Sequence, residues 1–322
     1  MTATVTLHPW SSDALFNKTL VYVGEMEKLS THDWQFAFWS SLSLELLARA
    51  ALANVSPTLL ADGKEWRNVH YALGHPPTKK DFIPKSAVTN DILRILNEIL
   101  PEFGKEFVDF CSLHCANRNA ELHSGENRFA ALKTSEWLPK YYATCEVLLN
   151  SMGKNLDDLF DDPKTASEMI STLKDTAAKA VAKDIEICKN NWNSRTPEEQ
   201  LRLIAQATAW ATRFTGHRAD CPACGSPSLI KGTGWGPVST TIDDDSGLII
   251  QKQTMIPASF ECVACGLKIA GLSRLAASGL AEPFKDTTTS SAAEYFNLHT
   301  DEELEEARAV AEPEFEEDMN ER

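Results

Sequence analysis

The sequence predicts a mainly α-helical protein with an antiparallel helical bundle, a long helical extension and a small β domain of zinc-ribbon type. Apolar residues recur every three or four positions over long stretches before residue 216, which is the period of a helix with one buried face. One such stretch continues from Pro163 to Trp192. Beyond it, two C-x-x-C pairs flank short runs of strand-forming residues. We therefore expect four segments: a helical domain over 1–155, an extension over 156–216, a zinc ribbon with a capping helix over 217–282, and a polar, acidic tail over 283–322.

The first long helix is predicted from Asp33 to about Asn54, with Ser30 and Asp33 placed as helix-starting residues. It is apolar almost all the way round, which indicates a buried, central position. Glu45 and Arg49 are the exceptions, and their spacing of one turn predicts an ion pair. Residues 1–29 show no clear element.

The following helices are predicted from punctuation residues and apolar spacing. Residues 55–88 contain several glycines and prolines and read as loop, with a short helix near Trp66. Further helices are expected over 90–100, from Pro101 through the segment near residue 123, over 135–153, from Pro163, and from Pro197 to Gly216.

Bulk composition narrows the function classes. The chain has 322 residues and a net charge of −15, which argues against tight, nonspecific binding to bulk nucleic acid. Residues 301–322 hold eleven acids and two arginines, so the charge is concentrated there. We see no apolar run of membrane-spanning length and no secretory signal. Four cysteines fall on apolar helical faces, and with a bound metal they favour a reducing cytoplasm: Cys111, Cys115, Cys145 and Cys188.

A group of charged and polar residues lies near the end of one apolar helix. Arg118 is followed by Asn119 and, five positions after the arginine, by His123, with Gly125 suited to ending the helix. Arg118 continues the line of apolar residues, where an unpaired charge is costly to bury. We therefore expect an anion to meet it, either a carboxylate from Glu121 or a neighbouring helix, or a substrate phosphate.

The arginine–polar–three–histidine pattern, late in a helix of an all-helical domain, resembles the motif of the HEPN family of ribonucleases. The resemblance covers about residues 10–155 and implies a HEPN-like helical bundle. It also implies a metal-independent endoribonuclease in which the 2′-OH of single-stranded RNA attacks the adjacent phosphorus and leaves a 2′,3′-cyclic phosphate. Arg118 would stabilise the phosphate, His123 would transfer a proton, and Asn119 would orient His123 or the phosphate.

Family members pair through the motif helices, so the resemblance also implies a homodimer whose cleft contains two copies of each residue. It points to transfer RNA loops as substrates, to a bacterial toxin or antiphage setting, and to a regulatory protein or nucleic-acid trigger. The simpler interpretation is a solvated helix end, and for His114 we favour a packed, hydrogen-bonded histidine over a second catalyst.

Two cysteine pairs carry the most specific signal in the chain. Cys221 with Cys224 and Cys262 with Cys265 form two C-x-x-C pairs, and a glycine follows each pair. Four thiolates from two such pairs suit the tetrahedral geometry of structural zinc, and they leave no open position for a catalytic water. His217 is a spare ligand that the four cysteines do not require.

A second function remains open from the sequence alone. In it, the helical domain is a dimeric, non-catalytic interaction module and the zinc ribbon binds a protein or a nucleic acid. Arg118 and His123 would then make structural hydrogen bonds only.

Overall fold

A computed structural model describes residues 7–298 of the chain and contains helices and a small antiparallel sheet. Over that range the α-helices are α1 Ser12–Glu27, α2 Trp34–Val55, α3 Trp66–Ala72, α4 Thr89–Ile99, α5 Lys105–His123, α6 Thr134–Ser151, α7 Pro163–Asn193, α8 Pro197–Arg213, α9 Leu272–Ala277 and α10 Ala292–Phe296. The strands are β1 His217–Asp220, β2 Pro227–Ile242, β3 Ile249–Glu261, β4 Lys268–Ala270 and β5 Phe284–Ser290. The expected mainly α class is confirmed.

Helix α2 is the centre of the bundle, as its composition predicts. It begins after Asp33, whose carboxylate accepts a hydrogen bond from the Gln35 amide at 2.9 Å. Twelve of its residues are buried, and it contacts α1, α4, α5 and α6. Among residues 7–298 it is the one helix long and apolar enough to cross a membrane, and its burial in the bundle accounts for that composition.

Two polar pairs lie within this apolar core. The Ser40 hydroxyl of α2 and Nε2 of His114 in α5 are 2.8 Å apart. The hydroxyls of Ser43 in α2 and Tyr141 in α6 are also 2.8 Å apart. Each pair satisfies polar groups that would be costly to bury alone, so side chains of α2 are hydrogen-bonded to α5 and to α6.

Helix α1 is one element that the sequence did not predict. Phe16, Val23 and Met26 on its inner face are buried in the core. The contact between α1 and α2 is more extensive than that between any other two elements. Polar residues interrupt the apolar spacing between those positions, so the periodic signal is weak. The packing against α2 stabilises a helix that local pattern alone does not identify.

The motif helix starts later than predicted. Pro101 lies outside α5, which begins at Lys105 after Gly104. Phe103 is fully buried, and its carbonyl accepts a hydrogen bond from the Asn97 side chain at 2.9 Å. This bond holds residues 101–104 in a turn between α4 and α5, so the prediction that Pro101 opens the motif helix was wrong.

Helices α7 and α8 form the extension. Asp162 caps α7 and Pro163 occupies its first turn, as predicted. Thr196 and Glu199 form a reciprocal capping box at the start of α8. Helix α7 contacts α6 in the bundle and α9 next to the cysteine pairs.

The sheet has the strand order β1-β2-β3-β4, with β5 paired to β3. Residue pairs such as His217–Ile230 and Phe260–Ile269 fix the antiparallel registers of β1–β2 and β3–β4. Residues 287–291 were expected to be a loop, but the run of threonines lies in β5, where Thr289 pairs with Ile250. Threonine favours strands, and an available edge of β3 decides its conformation.

The chain divides into two compact units. Among the described residues, one unit comprises residues 7–235 and 256–283 and contains the bundle, the extension and both cysteine pairs. The other comprises residues 236–255 and 284–298. The four-segment division stays a prediction, and the part of the predicted acidic tail beyond residue 298 lies outside the described residues.

Candidate anion site and candidate metal centre

The C-terminal half of α5 separates the three motif residues by direction. Arg118 continues the buried line of Cys111 and Cys115, and its side chain is only 12% exposed. Asn119 and His123 are exposed. A step of five residues turns an ideal helix by about 140°, so Arg118 and His123 leave α5 on different sides. No hydrogen bond or ion pair joins the two side chains within residues 7–298.

Glu45 of α2 lies between two arginines. Its Oε2 accepts a hydrogen bond from Nη1 of Arg118, and its Oε1 is 2.9 Å from Nη2 of Arg49. The Thr89 hydroxyl also donates to Oε1 at 2.7 Å. The predicted Glu45–Arg49 pair is therefore present, and the carboxylate that meets Arg118 is Glu45. The alternative, Glu121, instead accepts a hydrogen bond from the Phe129 amide at 3.2 Å.

This arrangement leaves one uncompensated positive charge. The three side chains are 12–17% exposed and comprise two guanidiniums and one carboxylate. Burial alone would raise the pKa of Glu45. Hydrogen bonds from Thr89 and Arg118, with the charges of Arg118 and Arg49, outweigh burial and lower this pKa to about 2. Glu45 is therefore ionised at neutral pH, and the cluster of Glu45, Arg49 and Arg118, termed here the arginine cluster, carries a net charge of +1.

Asn119 positions the Arg118 side chain. Its Oδ1 accepts hydrogen bonds from Nε of Arg118 at 3.2 Å and from Nη2 at 2.9 Å. A guanidinium has five N–H donors, and Glu45 and Asn119 take three of them. One N–H on each terminal nitrogen therefore has no partner among the described residues. Two free donors on a cation fit the oxygens of a phosphate or a carboxylate.

The other arginine joins this cluster to the chain before α4. Nη1 of Arg49 donates to the Ser86 hydroxyl at 3.0 Å and to the Ala87 carbonyl at 3.2 Å. No pattern in the sequence indicates that residues 86–89 bond to Arg49 and Glu45. Their proximity depends on the packing of α2 against α4 and α5, which has no local pattern.

His114 is a structural histidine in this fold, as the simpler interpretation predicted. It is 2% exposed, and its ring lies 5.0–5.5 Å from the rings of Trp137, Phe110 and Phe129. Burial, with a smaller contribution from the charge of Arg118, lowers its pKa to about 3. His114 is therefore neutral at physiological pH and is shielded from a substrate.

The four cysteine sulfurs converge within the same unit. The Sγ atoms of Cys221, Cys224, Cys262 and Cys265 all lie within 4.8 Å of one another. The sulfurs of Cys221 and Cys265 are 3.5 Å apart, and those of Cys224 and Cys262 are 3.6 Å apart. A compact group of four sulfurs is compatible with a tetrahedral metal site of structural type.

The two cysteine pairs share one backbone geometry. The amide of Gly225 donates to the Cys221 carbonyl at 2.8 Å, and Gly266 makes the equivalent bond to Cys262 at 2.9 Å. Both glycines have positive φ, 71° and 83°, which a side chain disfavours. Each pair is thus a tight turn, one between β1 and β2 and the other between β3 and β4. The hydrogen bond with Cys221 lowers the pKa of Cys224, which favours a thiolate at this position.

Arg195, between α7 and α8, secures the second turn. Its Nη1 donates to the carbonyl of Ala264, between Cys262 and Cys265, at 2.8 Å. The cysteine site is therefore attached to the helical extension by a hydrogen bond as well as by the chain.

Comparison with models of known protein families, with curated proteins and with solved structures returns no match. The features of this chain that bear on its function are therefore the arginine cluster, His123 and the four cysteines.

Proposed function

We propose that this protein is a metal-independent endoribonuclease of HEPN type that cleaves single-stranded RNA and acts as a homodimer. The observation that carries the proposal is the net positive charge of the arginine cluster, in which Arg118 keeps two free donors. A partly buried excess charge favours an anion next to it, and the nonbridging oxygens of a phosphodiester have the required geometry.

His123 supplies the proton transfer in this mechanism. It accepts the proton of the ribose 2′-OH or donates one to the leaving 5′-oxygen, and imidazole suits both steps near neutral pH. The 2′-oxygen forms the new bond to phosphorus as the bond to the 5′-oxygen breaks, giving a 2′,3′-cyclic phosphate and a 5′-hydroxyl. Arg118 stabilises the charge that grows on the nonbridging oxygens, and Asn119 and Glu45 hold Arg118 in place.

A second copy of the chain completes the proposed site. Arg118 and His123 project about 140° apart on α5, so one chain does not direct both at the same phosphate. The exposed side of α5 carries Leu113, which is 63% exposed, with Ala116 and His123 in line at helical spacing. We propose that two copies pair along α5, covering Leu113, and that the shared site takes His123 from one protomer and Arg118 from its partner.

Cleavage assays test the catalytic proposal directly. The purified chain is incubated briefly with a labelled single-stranded RNA in EDTA and compared with His123→Ala and Arg118→Gln variants. The exposed His32 provides a matched control, His32→Ala. We expect loss of cleavage in the two motif variants alone, with a cyclic phosphate end on the product. Full cleavage by His123→Ala at an unchanged melting temperature would refute the assigned role.

Mixing the two inactive variants tests the shared site. A mixed dimer of His123→Ala and Arg118→Gln protomers retains one histidine and one arginine, located on different protomers. We expect cleavage to return to about a quarter to a half of the parent rate, because a random mixture contains about half mixed dimers. A mixture that stays inactive, although the variants exchange subunits, would mean that each site lies within one chain.

One observation favours the second candidate function, a non-catalytic dimeric module. Arg118 already has a carboxylate partner in Glu45, as a purely structural arginine would. Under this alternative, RNA is not cleaved by the parent or by any variant, and the dimer persists.

We further propose that the four cysteines hold a structural zinc ion. Thiolate sulfurs are preferred zinc ligands, and four of them occupy every position of a tetrahedral site. Elemental analysis of the purified chain should give one zinc per chain, and Cys262→Ser should abolish it. Retention of zinc by that variant would place the metal elsewhere.

A further inference from the structure

The segment from Ala61 to Val88, which contains α3, carries positive charge in an acidic chain. It has five basic residues against three acids, whereas the whole chain carries −15. Lys79, Lys80 and Lys85 are exposed, and none of them forms an ion pair with a residue in the described range. Unpaired lysines keep their full charge for a polyanionic partner.

Aromatic rings lie in a row along the same segment. The guanidinium of Arg67 is 5.4 Å from the centre of the Trp66 ring and 5.9 Å from that of Phe82. The Trp66 ring lies 6.0 Å from His70, whose ring stacks on that of His75 at 4.5 Å and 23°. Trp66 is 60% exposed, so its ring is available to a ligand. Bases of single-stranded RNA stack on such rings regardless of sequence.

Hydrogen bonds between its two ends hold the segment in a defined conformation. Ala61 and Ser86 form a β-bridge, and the amide of Asp62 donates to the Lys85 carbonyl at 3.1 Å. The buried Asn68 joins both sides, donating to the Asp62 carbonyl at 3.0 Å and accepting from the Lys85 amide at 2.9 Å. The lysines and rings are therefore presented from an ordered scaffold.

The same segment directly contacts the arginine cluster. The Ser86 hydroxyl accepts a hydrogen bond from Arg49, and the Thr89 hydroxyl, one residue beyond the segment, donates to Glu45. Lys85 is adjacent to Ser86 in the chain. The segment that carries these lysines and rings therefore adjoins the arginine cluster.

We propose that the 61–88 segment is the surface that holds single-stranded RNA next to Arg118. Phosphates bind Lys79, Lys80 and Lys85, and a base stacks on Trp66. The inference rests on the proposed function for its substrate class. A single strand fits better than a duplex, because the bases of a duplex are already stacked and leave no face for Trp66.

Direct binding tests the surface independently of catalysis. A fluorescent single-stranded oligoribonucleotide is titrated into full-length His123→Ala protein at several salt concentrations. Neutralising the three lysines (Lys79→Gln, Lys80→Gln and Lys85→Gln) should reduce the slope of log affinity against log salt by about 2, as expected for three lost phosphate contacts. Trp66→Ala should weaken binding by about five- to 150-fold, and Trp66→Phe should restore most of it.

Matched controls separate position from composition. Lys179, Lys183 and Lys189 are exposed on α7, so their triple replacement by glutamine removes the same charge elsewhere. Trp34, 42% exposed, gives Trp34→Ala as the tryptophan control. We expect both controls to bind RNA as the parent does. Each variant is checked for an unchanged melting temperature.

The outcomes distinguish this inference from the proposed function. If the parent cleaves RNA but the 79–80–85 variant binds and cleaves a long strand normally, the surface is wrong and the ribonuclease stands. If the parent never cleaves yet the lysine and tryptophan variants lose RNA binding, the surface stands and the catalytic proposal fails. Equal competition by polyglutamate of matched charge would identify a general anion surface and would overturn the assignment to RNA.

Discussion

Replacing Glu45 by glutamine should destabilise the protein because two guanidiniums would lose the carboxylate they share. Both arginine side chains are at most 13% exposed, so water compensates them poorly. Folding lowers the Glu45 pKa from 4.5 to about 2. Since each pKa unit is equivalent to about 1.4 kcal/mol, the charge contributes about 3 kcal/mol at neutral pH. We expect Glu45→Gln to lower the free energy of unfolding by about 2–3 kcal/mol.

Urea unfolding at pH 7, followed by circular dichroism, measures this loss. Glu98→Gln is the matched control, because Glu98 pairs with Arg94 at 3.9 Å on the surface and is 72% exposed. An exposed pair contributes little, so that variant should lose less than about 1 kcal/mol. Equal losses in the two variants would refute the argument that burial makes the shared carboxylate important.

The pH dependence gives a second readout of the same group. Because folding lowers the Glu45 pKa, its stabilisation is complete above pH 4.5 and is lost as the pH falls towards 2. The difference between parent and Glu45→Gln should therefore shrink below pH 4.5. A difference that stays constant across this range would assign the loss to packing rather than to charge.

Three further predictions concern the core histidine and the cysteine site. Folding lowers the His114 pKa from 6.5 to about 3, so the unfolded chain protonates first and the free energy of unfolding falls as the pH drops below 6.5. In urea titrations, His114→Phe should reduce this pH dependence by about 1.4 kcal/mol per pH unit. An unchanged slope of the free energy of unfolding against pH would contradict the prediction. Removing metal with a strong chelator should loosen the cysteine turns but leave most of the helical circular dichroism signal unchanged. Global unfolding at the same chelator concentration would contradict the expectation that the helical bundle is stable without the metal. Gly266→Ala, at φ 83°, should weaken zinc binding about five- to 30-fold through strain of about 1–2 kcal/mol, and wild-type affinity in a competition titration would show that this strain is absent.

Local chemistry made the regular elements predictable. Asp162 with Pro163, and Thr196 with Glu199, specify helix starts through side-chain bonds within one turn, and the structure uses both. Each cysteine pair forms a tight turn whose hydrogen bonds join residues close in sequence. Such features need no knowledge of the rest of the fold.

Long-range packing limited the remaining predictions. The partner of Arg118 is Glu45, 73 residues earlier, and a sequence pattern supplies only candidates for such a contact. Helix α1 depends on α2 to cover its inner face, and the threonines of β5 depend on the free edge of β3. In each case the deciding neighbour is distant in the chain, so tertiary contact overrides local preference.

The serines inside α2 address an ambiguity that its apolar surface creates. A helix with leucine and alanine on nearly all sides has little preference for one rotation about its long axis, because every orientation buries a similar apolar area. Rotation of α2 from its observed orientation would separate the Ser40 hydroxyl from His114 and the Ser43 hydroxyl from Tyr141. Each buried polar group left without a hydrogen-bond partner would cost roughly 1–3 kcal/mol. These two contacts therefore select one orientation of the helix about its axis, and that orientation directs Glu45 to Arg118 of α5.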